Sequence, residues 1–498
     1  MFLKILFLFS LYYFVNGSNV TVKIDSGLVN GRTVNFHNKS FNVFTGIRYG
    51  IPPTGELRFK KPEKVDNWTG IYDATSIKNK YSCWQQLNNT LSGVEKDDMN
   101  EDCLILNVWT PDINPNKTKS VMFFIHGGGF QYGSSFHGVM NYDSIALALY
   151  DVVVVTINYR LGVFGFLYGE NEEAPGNVGL YDQLLALNWV KTNIHVFGGD
   201  PNDITIFGES AGSMSVGQHI LSPLSKGMFK RAILESGAPI EKFSFRLTNE
   251  TLNQTLEFKQ QFCSNQTNWL KCLKNVKAID LVNGNGGQFF PVVGEKFYPI
   301  DSIEAMKSGK FNSGIDIMAG SCQNEGTLLF MIQDIFGNLT GNALLEQTKT
   351  ALSNVLQINK KLHDPIEKYN ARMKIINHYF PNVNGSSSGH NSTNHLSDDE
   401  IKYKAGQLFG DFILTCPTYF MSKEIALWSS ENHVYSYIFN YTSIVSRQVL
   451  PKWVGVSHGA ELPFVFGAPL RLPQNYTKEE YQFSLLTMSL WTNFAKTG

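Results

Sequence analysis

The chain has 498 residues, 43% of them hydrophobic and 17% charged, enough apolar material to bury a large core. Its 42 Lys and Arg against 43 Asp and Glu leave a formal charge of -1, which argues against a broad surface for nucleic acid. A small molecule is the expected partner.

At the N-terminus, Lys4 precedes an apolar run from Ile5 to Val15 that exits through Asn16-Gly17, the pattern of a secretory leader over residues 1–17. The run is too short for a comfortable bilayer span, and no later stretch has the length. No stable membrane span is therefore expected, and the mature chain is expected to be secreted or lumenal. Thirteen N-x-S/T sequons beyond the leader, from Asn19 to Asn475, support that compartment. Six cysteines in such a setting invite disulfides. Cys83 and Cys103 bracket one polar stretch and Cys263 and Cys272 a shorter one, so each pair reads as a surface loop closed by a bridge. Cys322 and Cys416 either pair with each other or stay as thiols.

Further along, residues 121–125, 152–157, 204–207, 232–234, 315–318 and 434–439 read as strands. Residues 180–194 carry Leu184, Leu187, Trp189 and Val190 as an imperfect helical face. Strands alternating with helices imply an α/β fold with a large, mostly parallel sheet. The tract 382–399, polar and rich in small residues, reads as a surface insertion.

Two motifs carry chemistry. His126-Gly127-Gly128-Gly129-Phe130 follows the strand at 121–125, and its consecutive glycines let the backbone aim N–H groups at one point, as a developing oxyanion needs. Alone, the same residues describe a flexible turn. Gly208-Glu209-Ser210-Ala211-Gly212 follows the strand at 204–207 and precedes a helix expected over 211–221. That is a G-x-S-x-G elbow, in which glycines relieve a cramped turn and leave Ser210 exposed at the carboxyl end of a strand. In a chain with 43 glycines the pentapeptide is weak by itself. With HGGG upstream it becomes a paired signal, the N–H groups of Gly128 and Gly129 joining that of Ala211 as oxyanion donors.

Three further segments occur in order with these motifs: Glu101-Asp102-Cys103-Leu104-Ile105-Leu106-Asn107-Val108, Gly176-Asn177-Val178-Gly179-Leu180-Tyr181-Asp182-Gln183, and Gly455-Val456-Ser457-His458-Gly459-Ala460-Glu461. Together they make the chain resemble the type-B carboxylesterases and cholinesterases of the α/β-hydrolase superfamily over nearly its whole length. The resemblance implies one α/β-hydrolase domain over 18–498 and cleavage of a small carboxylic ester through an acyl-serine, with no metal or organic cofactor. It implies Ser210 as nucleophile, His458 as base and Glu325 as acid, with Asn324 where relatives carry aspartate. By the same comparison Arg58 pairs with Glu101 and Arg160 with Asp182 as scaffold, Glu209 tunes the field beside the nucleophile, and Ser236 stands near the triad acid.

Departures from the family pattern bear on substrate. Relatives specialised for choline esters place a tryptophan inside the first disulfide loop as a cation–π platform; here that neighbourhood is Gly93-Val94, and the loop's only tryptophan, Trp84, adjoins Cys83. Where acetyl-selective relatives carry acyl-pocket aromatics this chain has Asn285 and Gly287, with Phe289 retained and Phe243 as a stand-in ring. Uncharged esters with a roomy acyl group are expected. The chain also stops at Gly498, where relatives run on to a partner for the cysteine matching Cys416, so the usual C-terminal end is expected to be missing. Some relatives keep fold and glycans but lose triad residues, which makes a silent adhesion or structural glycoprotein the competing function.

Overall fold

The computed structural model describes residues 18–86, 93–138, 142–241, 243–285, 287–332, 339–355, 364–381, 396–428 and 432–498. The leader, the sequons Asn88, Asn338, Asn384 and Asn391, and most of the 382–399 tract lie outside them.

Eleven strands form the main sheet: β1 (Asn19–Ile24), β2 (Gly27–Phe36), β3 (Lys39–Arg48), β4 (Ile71–Asp73), β5 (Ile105–Thr110), β6 (Lys119–Ile125), β7 (Val153–Ile157), β8 (Gly199–Glu209), β9 (Arg231–Glu235), β10 (Asp316–Cys322) and β11 (Val434–Phe439). Across the sheet they run β1-β2-β3-β5-β7-β6-β8-β9-β10-β11, with β4 beside β2. Pairings from β7 through β6, β8, β9 and β10 to β11 are parallel. Those from β1 through β2, β3 and β5 to β7 are antiparallel. The result is an α/β-hydrolase fold whose sheet is mixed, its parallel half flanked by helices.

Burial explains why the parallel half is legible in sequence. β7, Val-Val-Val-Thr-Ile, is buried at every position, as a strand covered on both faces must be. Alternate residues feed two core layers: Val121, Phe123, Ile125 and Val155 enter one, while Met122, Phe124, Val154 and Phe207 enter the other, the period of two that pleating imposes. Phe124 meets the rings of Phe207 and Phe466 at 4.9 Å each. The expected strand at 434–439 coincides with β11, and 204–207 lies inside the longer β8.

Strands β1 to β3 of the antiparallel half escape an apolar-run criterion because they are half polar, β1 having Asn19, Thr21 and Lys23 exposed. The turn between β2 and β3 is His37-Asn38, both at positive φ (47° and 61°), as a two-residue hairpin demands, but without the Asn-Gly signature that announces one.

Cys83 is bonded to Cys103 and Cys263 to Cys272, while Cys322 (buried) and Cys416 (exposed) are free thiols. The scaffold pairs form as expected. Arg160 grips Asp182 through hydrogen bonds of 2.8 and 2.7 Å, and Arg58 pairs with Glu101. Among the described residues no helix is long and apolar enough to cross a membrane.

Candidate active site

Ser210 sits between the end of β8 and a helix over Ala211–Leu221, at φ 60° and ψ -124°. A non-glycine residue reaches such a backbone only where its surroundings enforce it, and here two glycines do. A Cβ on Gly212 would lie 2.0 Å from the Ile125 carbonyl oxygen, and one on Gly208 would lie 2.6 Å from the Gly212 backbone. The Ser210 N–H is anchored by donation to the Glu235 carbonyl at 2.9 Å. Both neighbours, Glu209 and Ala211, are buried while Ser210 itself is partly exposed.

The glycine run after β6 curls against this turn. A Cβ on Gly127 would fall 2.9 Å from the Cβ of Ser210. Gly128 (φ 110°) and Gly129 (φ 60°) occupy the left-handed region, and the Gly128 carbonyl accepts from Gln131 and Tyr132 N–H at 2.9 and 3.0 Å. His126 stands at the head of this run. Burial drops its imidazole to about 4, and the ring stacks on Tyr159 at 4.6 Å.

Glu325 opens a helix over Glu325–Ile332 just beyond β10. Its Oε1 accepts the Cys322 N–H at 2.5 Å, and its Oε2 meets His458 Nδ1 at 2.6 Å. With Nδ1 committed, Nε2 is the ring atom left for proton transfer. It faces Glu209 Oε1 at 3.0 Å, in ionic contact without hydrogen-bond alignment, and the Ser210 hydroxyl is not bonded to the ring.

Asn324, unremarked in sequence beyond its departure from aspartate, holds the loop that bears His458. Its Oδ1 accepts the Val456 N–H at 2.8 Å, its own N–H donates to the Val456 carbonyl at 2.9 Å, and its Nδ2 donates to Gln407 and Tyr403, each at 3.2 Å. An aspartate has no amide to make the last two contacts. The Ser236 hydroxyl is buried without a hydrogen-bond partner among the described residues, and its backbone is held at φ 58° with the N–H on the Gly320 carbonyl.

Three carboxylates crowd this imidazole, and a fourth, Glu235, acts on two of them. Burial opposes charge on His458, but Glu209, Glu325 and Glu461 outweigh it and push the ring up to about 10. Burial, reinforced by Glu461 and Glu325, pushes Glu209 up to about 8 against the pull of His458. Burial and Glu325 push Glu461 up to about 7, and burial with Glu461 lifts Glu235 well above the usual carboxylate range. The pocket holds more negative charge than one imidazole balances, so protons are retained.

A sequence profile of the Carboxylesterase family matches residues 18–498. This chain belongs to the carboxylesterase family. It is 36% identical over 503 residues to a cholinesterase of Mus musculus, covering 95% of this chain and 78% of that protein. It is 34% identical over 500 residues to an acetylcholinesterase of Bungarus fasciatus, covering 96% of this chain and 78% of that one. As a member of an esterase family, the chain brings His458 and Glu325 together across 133 residues of sequence.

Of the four acyl-pocket candidates, Gly287 and Phe289 share a cavity, and Asn285 and Phe243 are not part of its lining. Gly287 and Phe289 line a small cavity of about 20 Å³ together with Trp84 and Gln131, and Gln131 Nε2 donates to the Phe289 carbonyl at 2.5 Å. Asn285 is exposed, its N–H on Gln261 Oε1 at 2.8 Å. Phe243 packs elsewhere, edge-on to Phe409 at 5.8 Å. Sequence spacing cannot show this, because the loop's direction is set by contacts such as Gln254 Nε2 to the Gln288 carbonyl.

Proposed function

We propose that this carboxylesterase-family chain is a secreted serine hydrolase that cleaves uncharged carboxylic esters through an acyl-Ser210 intermediate. The observation that carries the reading is the 2.6 Å contact of His458 Nδ1 with the buried Glu325 carboxylate. In the proposed cycle His458 Nε2 takes the Ser210 proton as Oγ attacks the ester carbon. Glu325 orients the imidazole and stabilises the imidazolium. The N–H groups of Gly128, Gly129 and Ala211 receive the oxyanion. The tetrahedral centre collapses, the alcohol leaves with the proton from His458, and water repeats the sequence to release the acid. Two disulfides support a secreted or lumenal setting, as do exposed sequon asparagines such as Asn38, Asn67 and Asn116.

The deciding experiment is labelling with a fluorophosphonate probe followed by mapping of the modified peptide. Modification at Ser210 is the expected result. An unlabelled, folded protein would favour the silent adhesion role instead.

Activity should depend on pH in a defined direction. The base must be neutral to act, and neighbouring carboxylates hold a proton on His458 above its ordinary 6.5. The acid limb of kcat/KM is therefore expected above pH 6.5, with rates still climbing beyond neutrality. Glu209→Gln removes the foremost of these charges and should move the limb to lower pH by ~1–2 units. A wild-type limb below pH 6.5, or one unmoved in the variant, would contradict this account.

Substrate range follows from residue type, since neither Asn285 nor Gly287 carries a ring that could cap acyl volume. An added methylene in an apolar pocket contributes roughly 1–3 kcal/mol of discrimination. Butyryl and longer esters should be hydrolysed at least as well as acetyl esters, with no gain from a choline leaving group. Comparing kcat/KM for acetyl, butyryl and hexanoyl esters of choline and of a neutral alcohol tests both points, and strong acetylcholine preference would refute them.

A further inference from the structure

Cys322 ends β10 with its side chain in a small apolar cluster beside Phe439, Val456 and Phe464. It nevertheless reaches two carboxylates at once. Its main-chain N–H donates to Glu325 Oε1 at 2.5 Å and its thiol donates to Glu461 Oε2 at 2.9 Å. Glu461 is fully buried, and its other oxygen, Oε1, has no partner among the described residues. The thiol is thus the side-chain donor that Glu461 has. A buried carboxylate without a donor either takes up a proton or moves, since desolvation penalises the charged form.

We propose that Cys322 is a positioning residue of the hydrolytic site, its thiol holding Glu461 charged and fixed at the far side of the His458–Glu325 pair. The inference rests on the triad reading above. The groups facing this cluster are Glu209 with Tyr132 and Tyr142, Glu235 and Tyr437, Glu325 with Asp411 beyond it, and His458 itself. Half of them are carboxylic acids, and His458 is the one base. Loss of the thiol donor leaves Glu461 more readily protonated, which lowers the negative charge near His458 and lets the imidazole lose its proton at lower pH. It also weakens support for the imidazolium formed during attack.

The test is Cys322→Val, close in size to cysteine and suited to the apolar neighbours but without a donor, compared with Cys322→Ser, which keeps one. Each protein is normalised by fluorophosphonate titration of active sites. For Cys322→Val the acid limb of kcat/KM should move down by ~0.5–1 pH unit, a fraction of the ~1–2 units that one hydrogen bond to a charged group represents, because the loss reaches His458 through Glu461. Its kcat should fall several-fold with KM within about twofold, as for a group acting mainly in the transition state. Cys322→Ser should keep the wild-type limb. In a Glu461→Gln background, Cys322→Val should produce no further shift. A merely structural thiol would lower thermal stability or the active fraction and leave the limb in place. An unmoved or upward limb in Cys322→Val, or an equal shift with Glu461→Gln present, overturns the proposal. Failure of the unmutated protein to react with the probe would instead overturn the hydrolase reading, so the two failures are distinguishable.

Discussion

Ser210→Ala is expected to reduce kcat for a simple aryl or alkyl ester by ~10⁵–10⁶, as removal of the nucleophile of a serine triad does. The expectation rests on place as well as residue type. Ser210 is the one residue held at φ 60° between the end of β8 and the following helix, partly exposed between buried neighbours. No hydroxyl nearby duplicates it: Ser213 donates to the Gly237 carbonyl at 2.5 Å, and Ser215 to the Ala211 carbonyl at 2.9 Å. His458→Ala should cost about as much, because nucleophile and base act as a unit. Glu325→Gln should cost somewhat less, ~10⁴, since the acid orients and stabilises the imidazole and does not itself react. Turnover is to be measured on protein whose circular dichroism and melting temperature match the parent. Wild-type rates in Ser210→Ala or in His458→Ala would remove the corresponding assignment.

Gly128→Ala is expected to lower kcat by ~10²–10³, the effect of losing one oxyanion donor. A Cβ there would lie 1.9 Å from the Tyr132 carbonyl oxygen, at φ 110°. The obstacle is backbone, which cannot swing aside as a side chain does. The turn must open, and with it the N–H groups of Gly128 and Gly129 lose their common aim. Gly129→Ala is the control. At φ 60° it carries some backbone strain, but the added carbon meets nothing within 4 Å, so the loss should be milder. Since the oxyanion forms only as the ester reacts, Gly128→Ala should act on kcat far more than on KM. Equal, wild-type kcat values in both variants would show that these N–H groups do not serve the reaction.

Much of this site is readable from sequence because its requirements are local. A turn that forces φ to 60° at a serine needs flanking glycines, so Gly208 and Gly212 announce the elbow. A strand segment covered on both faces is mainly apolar, so residues 121–125, 153–157 and 204–207 announce the parallel half of the sheet. The hairpin at His37-Asn38 and the half-polar strands β1 to β3 were opaque for the complementary reason, since they are stabilised by antiparallel pairing with neighbours that a linear pattern does not reveal.

Other features are properties of proximity. Asn324 takes its importance from a carbonyl and an N–H on Val456, 132 residues away, and nothing in the tetrapeptide around it signals that contact. Glu209 and Glu235 end β8 and β9, Glu325 follows β10 and Glu461 follows His458 in its own loop, so the side-by-side strands and that loop together gather them into one buried acidic cluster. The upward pull on Glu209, Glu235 and Glu461 follows from that crowding, because burial and like charge act over a few ångströms in space and are blind to order along the chain. The acyl candidates teach the same point in reverse: Asn285, Gly287 and Phe289 are neighbours in sequence, yet loop contacts send Asn285 to solvent and Phe289 into the core. Residue type and spacing therefore carried the chemistry that a backbone turn encodes, while charge balance and substrate volume were left to the packing of distant segments.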